Sequence, residues 1–393
     1  MSQVHGSCDQ AFAPLREILQ QKIADGDELG ASLCINIDGK NVLDLWGGYA
    51  DASQTLPWEK EMVTGVWSTT KVITALAAHI LINRGVLDPN EKVAKYWPDF
   101  GTNGKENVTV ANVLTHSSGM PAFDQTISFE DYQDVERMTE HIAEQAPWYT
   151  PGSHTAYQWT NHGHMVGEIV RRVSGKSLTQ FIAEELAEPL GVDFWLGVPE
   201  KDWIRTADMV PQFSLDERDA SIKSIDPDSN GILTRAIRGS FLDPFSVNTP
   251  AFRKSENGAI GGYSNARGLA RIGSIVSLDG TVDTKKYLSP RTIDKMLTEQ
   301  ISGVDLCTSV KARWCLGFAL PSSQGIYPLI PDEPGIGFWG GWGGSMLIMD
   351  RGRRMTIGYV MNKMESGLMS NSNFDVYLPE IYKGFDIYTK GSS

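Results

Sequence analysis

Residues 66–80 read VWSTTKVITALAAHI, placing a lysine three positions after a serine inside an otherwise apolar run. An ammonium group is expensive to bury. The run has helical periodicity: Ile73, Leu76, Ala77, Ile80 and Leu81 recur at i, i+3, i+4, i+7 and i+8, which predicts a helix from about Thr69 to Asn83. Val72, Ala75 and Ile82 make its other faces apolar too, so this helix is expected to be central and buried, with Gly85 placed to end it. Ser68 and Lys71 then share a face, and the amine can reach the hydroxyl. Desolvation would lower the lysine pKa toward the operating pH, so that a neutral amine could accept the serine proton, while the helix dipole favours an oxyanion nearby. A capping serine beside a snorkelling lysine gives the same tetrapeptide. This is the chain's only S-x-x-K, although chance supplies roughly one or two in a chain of this size.

Upstream, AFAPLREILQQKI (residues 11–23) reads as an amphipathic helix, and GASLCINIDGKNVLDLWGG as two antiparallel strands turning at Asp38-Gly39. Downstream, GHMVGEIVRRVSG reads as a helix, and SLTQFIAEEL opens another with a capping box from Ser177 to Gln180. Residues 202–255 lack clear periodicity and are expected to form a long irregular excursion walling a cleft. Strand signals return in SMLIMD and MTIGYVMN around the turn RGRR, and a last helix is expected from about Pro379. Strands at both ends with helices between them predict an α/β (α+β) fold: one antiparallel sheet flanked by helices, with a mainly helical insertion. The domains are expected to be 1–63 plus 290–393 for the sheet and 64–289 for the insertion, with the active site at their interface.

The chain has 393 residues, 41% of them hydrophobic, and 35 Lys+Arg against 48 Asp+Glu. A net charge of -13 gives no footprint for nucleic acid or an anionic membrane, so a small molecule is the expected partner. No run is long enough to span a bilayer and the N-terminus lacks a secretory pattern, which predicts a cytoplasmic protein. Cys8, Cys34, Cys307 and Cys315 have no CxxC spacing, which argues against a disulfide framework or zinc site. His154, His162 and His164 lie close in sequence but lack the ligand spacing and acidic partner of zinc enzymes. No metal and no cofactor are expected.

An α/β-hydrolase needs G-x-S-x-G, and the chain has none; the nearest miss is Gly262-Tyr263-Ser264-Asn265-Ala266. Taken together and in order, WSTTK, GVLDPNEKVAKYWPDF, VLTHSSGMP, PGSHTAY, VGEIVRRVSGKSL and FWGGWGGS resemble the serine β-lactamase superfamily. Within it the chain is most similar to the family VIII, class C β-lactamase-like carboxylesterases, over residues 30–363. The resemblance implies a β-lactamase/transpeptidase-like fold, with Ser68 as nucleophile, Lys71 as proton acceptor and Tyr157 completing the catalytic set. It implies an oxyanion hole from the backbone N–H groups of Ser68 and Trp342. Trp339, Gly340 and Gly341 fall where β-lactamases carry Lys-Thr-Gly, and Tyr157-Gln158-Trp159 replaces Tyr-x-Asn, so Trp159 and Trp339-Gly340-Gly341 are expected to line the substrate cleft. Both replacements remove groups used on β-lactams. His116, the Ser117-Ser118-Gly119 turn and residues 258–272 read as structural.

The expected function is a serine carboxylesterase that hydrolyses small-molecule carboxylic esters through an acyl-enzyme. An acyltransferase of secondary metabolism would use the same acyl-enzyme with a second alcohol in place of water. More distant readings are a β-lactamase or D-alanyl-D-alanine peptidase, and a non-catalytic scaffold of the same fold.

Overall fold

The computed structural model describes residues 3–225, 228, 230–240, 243–366 and 372–391. Its main sheet is six-stranded and antiparallel, built from β1 (His5–Cys8), β2 (Gly30–Ile37), β3 (Lys40–Gly48), β4 (Ile336–Gly340), β5 (Met346–Asp350) and β6 (Met355–Met361), in the order β1-β3-β2-β6-β5-β4. The β2–β3 turn works because Asp38 and Gly39 both adopt positive φ, 50° and 82°. The two ends of the chain meet at the centre, where Ile35 of β2 pairs with Ile357 of β6. Every residue of β2 and β6 is buried, as expected of strands covered on both faces.

Alternation along β6 sends Thr356 and Gly358 to one face and Tyr359 to the other. The helix on the first face spans Ala266–Ser277; Ser277 Oγ lies 2.7 Å from Thr356 Oγ1, and a side chain at Gly358 would collide with the Ala266 carbonyl. This helix was expected within the insertion 64–289, yet it packs on the sheet. On the opposite face Tyr359 meets Phe374 and Tyr377 of the C-terminal helix, Ser372–Gly391. That helix was expected only from about Pro379. The buried side chains of Asn373, Phe374, Tyr377 and Leu378 extend it N-terminally, with the proline inside.

Helix α1 spans Ala13–Asp25 and α2 spans Thr70–Asn83. Every residue of α2 from Thr70 to Leu81 is buried, and Gly85 at φ 73° follows its end. The 202–255 stretch departs from expectation: it contains helices Leu215–Ile225, Ile232–Arg238 and Pro250–Arg253. Local caps start two of them without long periodicity. Ser214 and Glu217 form a reciprocal capping box, and Thr249 accepts from Phe252 N with Pro250 in the first turn. At Ser177 only half of the expected box forms, because Gln180 Nε2 donates to Glu184 instead.

Beneath the C-terminal helix lies Glu28, 1% exposed, whose carboxylate accepts from the hydroxyls of Tyr359 and Tyr377. Burial raises its pKa to about 7; the two tyrosines and Lys22 oppose the rise and Glu365 adds to it. The folded state therefore binds a proton that the unfolded state releases near pH 4.5, so stability is full below that pH and is lost as pH rises to about 7. The loss amounts to about 3 kcal/mol. Glu28→Gln keeps acceptors for both hydroxyls and removes the titration. Its Tm is expected to gain on the parent's across this window and to run parallel above it. Parallel Tm profiles from pH 4.5 to 8 would contradict the assignment.

Candidate active site

The segment leading into α2 is held by a short sheet pairing. Val66 N donates to Gly262 O at 2.9 Å, and Gly262 N donates to Thr70 Oγ1 at 2.9 Å. Between these anchors Trp67 takes φ 45°, a conformation that costs a non-glycine residue on the order of 1–3 kcal/mol. Packing holds it there: its ring lies 5.1 Å from that of Trp342 and 5.5 Å from that of Phe252. The turn delivers Ser68 just ahead of α2.

Lys71 is 2% exposed, one helical turn on. Its Nζ lies 3.1 Å from Ser68 Oγ and donates to the carbonyls of Trp159 at 2.8 Å and Ala259 at 3.2 Å. Burial pushes the amine well below the usual lysine range. Ala259 is set by Asn257, whose Oδ1 accepts from Ala259 N and Ile260 N while its Nδ2 donates to Thr160 O. Trp159 thus contributes its carbonyl to the site, while its ring packs edge-on against Tyr157 at 4.9 Å.

Tyr157 is fully buried beside Lys71, whose Nζ lies 4.8 Å from the ring centroid. Trp339 Nε1 donates to its hydroxyl at 2.8 Å. Burial raises the phenol pKa well above its ordinary value; hydrogen bonds with Ser68 and Trp339 oppose the rise, and Tyr327 and Asp305 add to it. The phenol keeps its proton at neutral pH. Trp314 stacks on the ring at 6.1 Å and His116 meets it edge-on at 4.7 Å.

Trp339, 2% exposed, spends its only side-chain N–H on the Tyr157 hydroxyl and so helps to hold it. Glycine is required at 341 because a Cβ would meet Val66 O at 2.2 Å and Ser345 Oγ at 2.3 Å. Ser345, the last residue of FWGGWGGS, was not singled out in the sequence. Its Oγ donates to Val66 O at 2.8 Å and lies 3.0 Å from Thr69 Oγ1, and its carbonyl accepts from Gly341 N, tying the end of β4 to the turn that carries Ser68. Trp342 lies in the turn between Gly341 and Ser345, where its N–H makes no hydrogen bond to the main chain of the described residues. Gly340 passes close to Tyr327, whose hydroxyl a Cβ would approach to 2.8 Å.

His116 accepts from Gln158 N at 3.2 Å through Nδ1 and lies 4.8 Å from His162. Burial holds both imidazoles well below their usual pKa. His162 and His164 are buried in the helix Asn161–Ser174, whereas His154 is exposed. The described residues contain no group of three or more His, Cys, Asp or Glu placed to share a metal ion, and no helix long and apolar enough to cross a membrane.

The Beta-lactamase family model matches residues 15–377. Esterase/beta-lactamase LipL of Mycobacterium tuberculosis (strain ATCC 25618 / H37Rv) is 31% identical over 303 residues, 73% of this chain and 67% of that protein. The crystal structure of a family VIII carboxylesterase aligns with a TM-score of 0.88 at 30% identity, covering 97% of this chain and 100% of that one. A penicillin-binding protein homolog from Caulobacter crescentus aligns with a TM-score of 0.87 at 30% identity, covering 97% and 99%.

Proposed function

Since this chain belongs to the beta-lactamase family, a hydrolase family with esterase members, we propose that it cleaves small-molecule carboxylic esters through an acyl-enzyme on Ser68. The observation that carries the reading is the set of three partners around Lys71 Nζ. Carbonyl oxygens can only accept, so Trp159 and Ala259 occupy both N–H bonds of a neutral amine and leave its lone pair toward Ser68 Oγ. Once protonated, the ammonium has a third donor for the same direction. The proton moves without rearranging its surroundings.

In the first half-reaction Ser68 Oγ attacks the ester carbonyl carbon as its proton passes to Lys71. The oxyanion is received by the N–H groups of Ser68 and Trp342. Collapse breaks the carbon–alkoxide bond, and Tyr157 gives its proton to the departing alcohol and regains one from Lys71. Water then attacks the acyl carbon, and the same groups return a proton to Ser68 as the acid leaves. An alcohol in place of water would make this second step an acyl transfer.

Support for esters over β-lactams comes from position 339. The indole there is committed to Tyr157 and cannot replace an ammonium holding a substrate carboxylate. Such a charge-assisted contact is worth roughly 1.5–3 kcal/mol, or about one to two decades. A short p-nitrophenyl ester is therefore expected to exceed nitrocefin in kcat/KM by at least about tenfold, with an acyl adduct on Ser68 detectable by mass spectrometry after rapid acid quench. Preference for nitrocefin would overturn the esterase reading. An adduct that decays faster with added alcohol, yielding a new ester, would favour the transferase.

A further inference from the structure

Proton delivery to a leaving alcohol requires the Tyr157 hydroxyl to be held in place, and the side-chain contacts around its ring do not fix the main chain that carries it. That main chain lies in the irregular stretch between Pro151 and the helix Asn161–Ser174. His116 accepts from the neighbouring Ala156 N and Gln158 N, and the anchor on the Tyr157 N–H itself is Asp305, fully buried just after the strand Ile301–Val304. One carboxylate oxygen, Oδ1, accepts three backbone N–H groups: Tyr157 at 3.1 Å, Cys307 at 2.9 Å and Thr308 at 3.0 Å. A return bond from Leu306 N to Thr155 O at 2.9 Å closes the pairing between the two segments. Peptide N–H groups, not a side-chain cation, meet the carboxylate.

Burying a carboxylate is costly, and an apolar or hydroxyl side chain could fill a loop at lower cost. Three N–H bonds converging on one oxygen, one of them from the residue that carries the phenol, give the burial a purpose. We propose that Asp305 is a positioning residue for Tyr157, fixing the main chain from which the phenol reaches the departing alcohol. This rests on the role given to Tyr157 above. A misplacement of the order of 1 Å in such a group costs roughly 10²-fold.

The test exploits leaving-group chemistry. p-Nitrophenolate departs without a proton, whereas an alkoxide needs one, so loss of a positioned general acid falls selectively on alkyl esters. Asp305→Ala is expected to lower kcat for an ethyl ester by on the order of 10- to 100-fold, with kcat for the matching p-nitrophenyl ester and KM for both within about threefold. Asp305→Asn, whose Oδ1 still accepts the three N–H bonds, should restore parental kcat on the ethyl ester. In a Tyr157→Phe background Asp305→Ala should add little. If Asp305→Ala does not fold, Asp305→Glu, which sets the acceptor one methylene off, reads the same selectivity. Equal losses on both esters, or none, would overturn the proposal. If Tyr157→Phe itself spares alkyl esters, the role of Tyr157 fails first, and the two failures are distinct.

Discussion

Ser68→Ala is expected to lower ester turnover by on the order of 10⁴ to 10⁶ while leaving the Tm within a few degrees of the parent's. The size follows from what is removed: without Oγ there is no nucleophile to form the acyl-enzyme, and water must attack the ester directly. The small stability change follows from the surroundings. Ser68 Oγ serves Lys71 and Tyr157, whereas Thr70, Ser345 and Trp67 hold the turn. Steady-state rates on a p-nitrophenyl ester together with thermal melts check both statements. A variant within about tenfold of the parent would remove Ser68 from the mechanism.

Lys71→Ala and Tyr157→Phe should each slow acylation by roughly 10² to 10⁴, and the double variant should cost far less than the product. Lys71 Nζ is 3.1 Å from Ser68 Oγ and 4.8 Å from the tyrosine ring centroid, and a hydrogen bond joins the phenol to Ser68. Once one member of this three-residue unit is gone, the other has no proton to pass on. Single-turnover acylation on an alkyl ester is the measurement. Multiplicative losses would mean that the two groups act independently.

The parts legible in the sequence were the local ones. Ser68 lies just ahead of an apolar helix with Lys71 in its first turn, and Asp38-Gly39 announces its own turn. Three supports of the site have no such signature. The carbonyls of Trp159 and Ala259 that hold Lys71 belong to the main chain, which every residue possesses, and Asp305 meets Tyr157 across 148 positions. Trp339 was readable as a replacement for lysine, but its hydrogen bond to Tyr157 depends on β4 lying beside a residue 182 positions away. The helices between Leu215 and Arg253 escaped because two of them are started by local caps and all three are too short or too polar to show a hydrophobic period.

The pairing of β2 with β6 also governs how the protein comes into being. Until Ile357 has been translated Ile35 pairs only with Leu43 of β3 and the other edge of β2 stays open, which at cellular elongation rates is an interval of roughly tens of seconds. The segment carrying Ser68 waits equally for Ser345. Until residues 339–361 have been made the chain therefore carries Ser68 and Lys71 without Trp339 beside the tyrosine, without Ser345 on the turn and without a closed sheet. Nascent polypeptides of this sequence should be hydrolytically silent and dependent on protection of an unpaired β2 edge, and esterase activity should switch on only after synthesis has passed residue 361, so that its appearance in a translation extract times the completion of folding.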